Sequence, residues 1–106
     1  RLQRAVALIK LGDLLGNPNL PNLGRRADAL QRFIEARDAL TPLRAERPRD
    51  ARVQRYVGIA FERLGTMHQQ AARWPEAAGA YRESFVIRKA LADSSPMHVD
   101  VQRDLA

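Results

Sequence analysis

Apolar residues recur every three or four positions along most of the chain, the spacing of one helix face. From 51 to 71, Val53, Val57, Ala60, Phe61, Leu64 and His68 trace one such stripe, with Asp50 placed as its N-cap. Gly65 lies on the stripe, where it costs ~1 kcal/mol of helix propensity relative to Ala. A close approach by a neighbouring helix is therefore expected at that position. The next helix is predicted from Trp74-Pro75-Glu76, because Pro suits the first helical position and Glu the positive helix end. Its inner face reads Ala77, Ala80, Tyr81, Ser84, Arg88 and Leu91, with Tyr81 filling the space between small neighbours. Trp74 reads as a packing residue at the turn or, alternatively, as an exposed anchor for a partner.

Two further amphipathic helices flank GNPNLPNLG, residues 16–24. Pro42 falls inside the second of them and predicts a kink or break there. The stretch 16–24 is longer than the usual helix–helix link, and its Gly, Asn and Pro residues suit turns. It carries no phosphate-binding glycine spacing and reads as an enlarged structural loop. A last helix, 96–106, would carry Met97, Val101 and Leu105. The fold predicted is all-α, with about five helices.

The segments repeat. A shift of 48 residues lays Leu43, Pro48, Val53, Gln54 and Arg55 over Leu91, Pro96, Val101, Gln102 and Arg103. The same shift lays Ala29, Phe33 and Ala36 over Ala77, Tyr81 and Ser84. Further upstream the shift is 53 residues, and Leu8, Leu11 and Gly12 meet Phe61, Leu64 and Gly65. The five extra residues lie between Gly12 and Asp28, in the enlarged loop. The units are then 1–48, 49–96 and the start of a third at 97–106.

With these positions in register the chain resembles the tetratricopeptide repeat, whose unit of roughly 34 residues places an aromatic, Leu-Gly, Ala, an aromatic and Ala at set offsets. Phe61, Leu64, Gly65, Ala77, Tyr81 and Ser84 supply these positions in the second unit, and Leu8, Leu11, Gly12, Ala29, Phe33 and Ala36 in the first. The units depart from the family in being longer. The resemblance covers essentially the whole chain and implies an α-solenoid of helix-turn-helix repeats. More narrowly, KLGDLLGNPNLPNLG followed by DAL resembles repeat segments of predicted bacterial proteins, often C-terminal to a Ser/Thr protein kinase domain. The chain opens at Arg1 inside an amphipathic pattern and reads as a segment of a longer protein.

Composition narrows the chemistry. The 106 residues contain no Cys, which removes thiolate nucleophiles, disulfides and Cys-based zinc sites, and fits a reducing, cytoplasmic setting. No apolar run approaches the ~20 residues of a membrane span. The kinase loops are missing and no HExxH or Ser/His/Asp set stands out, so neither catalysis nor a cofactor or metal is expected. His68 reads as packed and His98 as solvated. The net charge is +6, and every cation but Lys10 and Lys89 is Arg. Those arginines are spread among acids along every helix, so a solvated surface is the first reading and polyanion or nucleic-acid binding the alternative.

The implied function is a non-catalytic scaffold that takes a peptide or partner helix on its concave face. The helices that line such a wall carry Leu2, Val6, Ile9 and Asp13 in the first unit, and Arg52, Arg55, Ile59, Glu62, Thr66 and Gln69 in the second. Some family members clamp a C-terminal carboxylate there with Lys and Asn. Ile9, Asp13, Glu62 and Thr66 occupy those places, and the two acids argue against that activity. Leu2, Leu8 and Leu11 at one end, and Met97, Val101 and Leu105 at the other, predict exposed apolar surface and self-association.

Overall fold

The computed structural model of the protein describes residues 1–17 and 25–94. Among them the chain is all-helical and without strands: α1 is Leu2–Leu15, α2 Arg26–Glu46, α3 Ala51–Gln70 and α4 Trp74–Ser94. The predicted fifth helix, with His98, Met97, Val101 and Leu105, lies outside the described residues, as do 18–24 of the enlarged loop. The loop leaves and returns at one point, because the Arg25 N–H donates to the Leu15 carbonyl at 2.6 Å.

α3 begins where its cap predicts. The Asp50 carboxylate accepts from the N–H groups of Arg52 at 2.9 Å and Val53 at 3.3 Å, satisfying two of the donors that a helix start leaves over. Its end is a tight turn. The Arg73 N–H reaches back to the His68 carbonyl and the Ala72 N–H to that of Gln69, with Ala72 at φ 59°. This is the left-handed C-terminal cap that glycine usually supplies, here borne by an alanine. α2, in contrast to the break expected at Pro42, is continuous from Arg26 to Glu46. Pro42 is exposed, as is Asp38, whose carbonyl the missing N–H leaves over. Leu40 and Leu43 on either side are fully buried and hold the helix to the core.

Consecutive helices pack: α1 on α2, α2 on α3 and α3 on α4, with a lesser contact of α1 with α3. The core holds Ala5, Ile9, Phe33, Leu40, Leu43, Val53, Val57 and Leu64. Burial of each large member is worth about 1.5–3 kcal/mol against exposure. Two contacts set how closely the helices approach. A Cβ added at Gly12 would lie 2.6 Å from Phe33 Cε1, and one at Gly65 would lie 2.8 Å from Tyr81 Cδ1. Each aromatic ring of the second helix in a pair thus occupies the space that a side chain on the first would fill. One turn and more away, the small residues also recur. Ala5 and Ala36 are fully buried in the first pair, and in the second the buried Ser84 hydroxyl donates to the Gly58 carbonyl at 2.8 Å.

Several side chains depart from their expected places. Leu2 and Leu8, expected to be exposed, are half-buried against the core, whereas Leu11 is exposed as expected, and so is Leu14. Trp74 is 60% exposed and does not pack at the turn. Ile87, absent from the expected inner face of α4, is buried.

These contacts separate the glycines. Gly12→Ala forces the buried Phe33 ring to move and should lower stability by about 1–3 kcal/mol, the range of overpacked cores. Gly65→Ala should cost less, because Tyr81 is only half-buried and can yield. Gly79 has no atom within 4 Å of an added Cβ, so Gly79→Ala should raise stability by about 0.5–1 kcal/mol through helix propensity alone. Thermal or urea melts of the three variants check the order.

Candidate partner-binding face

The face predicted on α1 and α3 divides into a closed end and an open end. Ile9 belongs to neither. It is 4% exposed and part of the core. α1 meets both α2 and α3, so its apolar arc is wider than a single neighbour would require. Ile9 therefore presents nothing to a partner.

The closed end is a chain of ion pairs. Arg63 Nε donates to Asp13 Oδ1 at 2.8 Å and Nη2 to Oδ2 at 3.4 Å, a two-pronged contact between α3 and α1. Arg63 Nη1 also donates to Glu62. The other Glu62 oxygen forms an ion pair with Arg88 Nη2 on α4 at 3.0 Å. Asp13, Arg63, Glu62 and Arg88 so connect three helices. The hydrogen bond to Asp13 raises the Arg63 pKa above the ordinary arginine value, against burial, which lowers it. The two carboxylates that sequence placed as repelling an acidic ligand are thus neutralised within the fold. Beside them, the Thr66 hydroxyl lies 3.0 Å from the Tyr81 hydroxyl, which donates to Gln69 Oε1 at 2.8 Å. Asp13, Glu62, Thr66 and Gln69 of the predicted residues therefore bond within the molecule.

The open end is formed by residues 2–10 of α1 and the start of α3. A cleft of about 230 Å³ lies between Leu2, Val6 and Lys10 of α1 and Arg52 and Tyr56 of α3. A second, of about 270 Å³, is lined by Arg1, Leu2, Gln3, Arg47 and Arg52. Arg52 borders both. Arg1 is held by Glu46 at 2.9 Å. Arg55 is exposed, and Ile59 is half-buried against the core. Lys10, Arg47 and Tyr56 are lining residues that the sequence reading missed. Lys10 follows Val6, and Tyr56 follows Arg52, by four positions, so helical spacing alone places them on the same face. Arg47 stands in the α2–α3 turn and carries no such periodic signal.

His68 is half-buried near the end of α3, with its Nδ1 shielded and unpartnered among the described residues. Among those residues no group of three His, Cys, Asp or Glu side chains comes together as a metal site would. No helix among them is long and apolar enough to cross a membrane. No family model, curated protein sequence or solved structure matches the chain.

Arg63 is one-third exposed, so its pairs are partly screened by solvent and salt. Arg63→Ala should cost about 1 kcal/mol in dilute buffer, and that cost should shrink in molar salt. Urea melts at two ionic strengths measure both. Because the folded-state pKa of Arg63 is raised, its contribution is complete below the ordinary arginine range and is lost only as pH rises through the folded value. The Arg63 charge, and with it the cost of Arg63→Ala, should therefore stay constant across neutral pH.

Proposed function

We propose that the chain is a non-catalytic protein-interaction module, built of helix-turn-helix repeats of the tetratricopeptide kind, that takes a peptide or partner helix along the open end of the α1–α3 face. The observation that carries this reading is the recurrence of the glycine–ring contact. Gly12 on Phe33 and Gly65 on Tyr81 are related by the same shifts, 53 and 48 residues, that align the sequence with itself. Repeats that stack in this way offer a continuous wall for extended peptides or helices. The open clefts combine apolar Leu2, Val6 and Tyr56 with the cations Lys10 and Arg52, a mixture suited to anchoring side chains and orienting a chain. The cysteine-free composition supports a cytoplasmic setting. Exposed Leu11 and Leu14 on α1 support self-association as a second use of the surface. Polyanion binding is the second reading, favoured by Arg1, Arg47 and Arg52 around one cleft.

Selection of displayed random peptides on the full chain tests the first reading. Enriched peptides should bind the purified protein, and Val6→Asp or Arg52→Glu should weaken them at least tenfold. Failure to enrich any peptide, with random oligonucleotides bound in a steeply salt-dependent way, would favour the polyanion reading instead.

A further inference from the structure

The positive charge of the chain is uneven. Residues 44–55 hold Arg44, Arg47, Arg49, Arg52 and Arg55 against Glu46 and Asp50, a net +3 in a chain of net +6. Both acids are engaged: Glu46 with Arg1, and Asp50 with the first N–H groups of α3. The start of α3 adds the positive end of its dipole.

This cationic turn borders a groove on the side of α3 away from α1. The groove has a volume of about 560 Å³ and lies between the α2–α3 turn and the second half of α4. Arg44 and Arg49 line it, and no acidic residue does so among the described residues. Neither arginine has an ion-pair or hydrogen-bond partner among the described residues. The α4 side of its lining is mostly apolar. Ile87 is buried, Leu91 half-buried, and Val86 is 55% exposed.

We infer that this groove is a docking site for an acidic peptide segment with apolar anchors, its carboxylates on Arg44 and Arg49 and its anchors on Val86 and Leu91. The inference rests on the reading of the chain as an interaction module and names a second surface and the chemistry of its partner. An apolar lining alone would accept any greasy segment, and a basic one alone any anion. Together they select a ligand that carries both, because each unpaired arginine penalises a basic competitor and each apolar contact excludes a purely polar one.

The test uses the full chain and a fluorescein-labelled twelve-residue peptide of Glu with two Leu four positions apart, followed by polarisation. Arg44→Glu with Arg49→Glu should weaken binding at least tenfold, and Val86→Asp at least fivefold. Arg4→Glu with Arg26→Glu makes the same change of net charge away from the groove and should stay within twofold of the parent. No binding by the parent chain, or equal loss in both charge-reversed pairs, overturns the proposal. So does displacement of the peptide by oligothymidylate together with indifference to Val86→Asp, which would mark a polyanion surface. A concentration-dependent dimer abolished by Val86→Asp would assign the groove to a second copy, and tighter binding in Val101→Asp would assign it to the end of the chain itself; either result also overturns the proposal. Selected peptides that bind the α1–α3 face but ignore Arg44 and Arg49 would leave the module reading standing and remove this one.

Discussion

The structure depends on two missing side chains. Gly12 and Gly65 each give up helix propensity at a mid-helix position, and each admits an aromatic ring to within contact of the backbone. With any Cβ present, the α1–α2 and α3–α4 pairs could not close to this distance without moving Phe33 or Tyr81. The close approach then brings the small residues further along each pair together. Ser84, polar and buried, is tolerated only because the Gly58 carbonyl is near enough to accept its proton. Helices set at this separation bury an unbroken core from Ala5 to Ile87 through the α2–α3 contact.

The same geometry decides which surface is left for other molecules. Where α1 and α3 run beside one another, their C-terminal halves carry opposite charges and close through Asp13, Arg63 and Glu62. Lys10 and Arg52 line the clefts without matching acids among the described lining residues. Arg44 and Arg49 stand by the α2–α3 turn without an acidic partner among the described residues, because the two acids there serve Arg1 and the helix cap. An interaction surface of this kind is set by the arrangement of charge as much as by its total.

Much of the fold was legible in the sequence, since it rests on short-range rules. Helical spacing marked the stripe of α3, Asp50 marked its start, and the paired glycines and rings marked the contacts between helices. What the sequence hid depends on tertiary surroundings. Pro42 reads as a break, but buried Leu40 and Leu43 hold α2 together across it. Ile9 reads as surface until a second neighbour covers it. Trp74 reads first as a packing residue at the turn, yet it is exposed. The candidate face was legible as a set of positions but not as a set of roles. Asp13 and Glu62 are separated from their cationic partners by fifty and twenty-six residues or by one, and nothing in a linear pattern distinguishes a carboxylate held by Arg63 or Arg88 from one facing solvent. The groove beside α4 was missed because the sequence reading assigned Val86 and Ile87 to no face.

The central claim is that the glycine–ring contact is specific, with each ring seated in the space its glycine leaves. A double-mutant cycle on Gly12 and Phe33 tests it most directly, by chemical denaturation of Gly12→Ala, Phe33→Leu and the pair. If the ring occupies the space left by the glycine, the smaller leucine relieves the added methyl group. The double variant should then be more stable than the sum of the single losses by about 1 kcal/mol or more. Strict additivity would contradict the account, since it would show that Gly12 and Phe33 affect stability independently and that helix separation is set elsewhere.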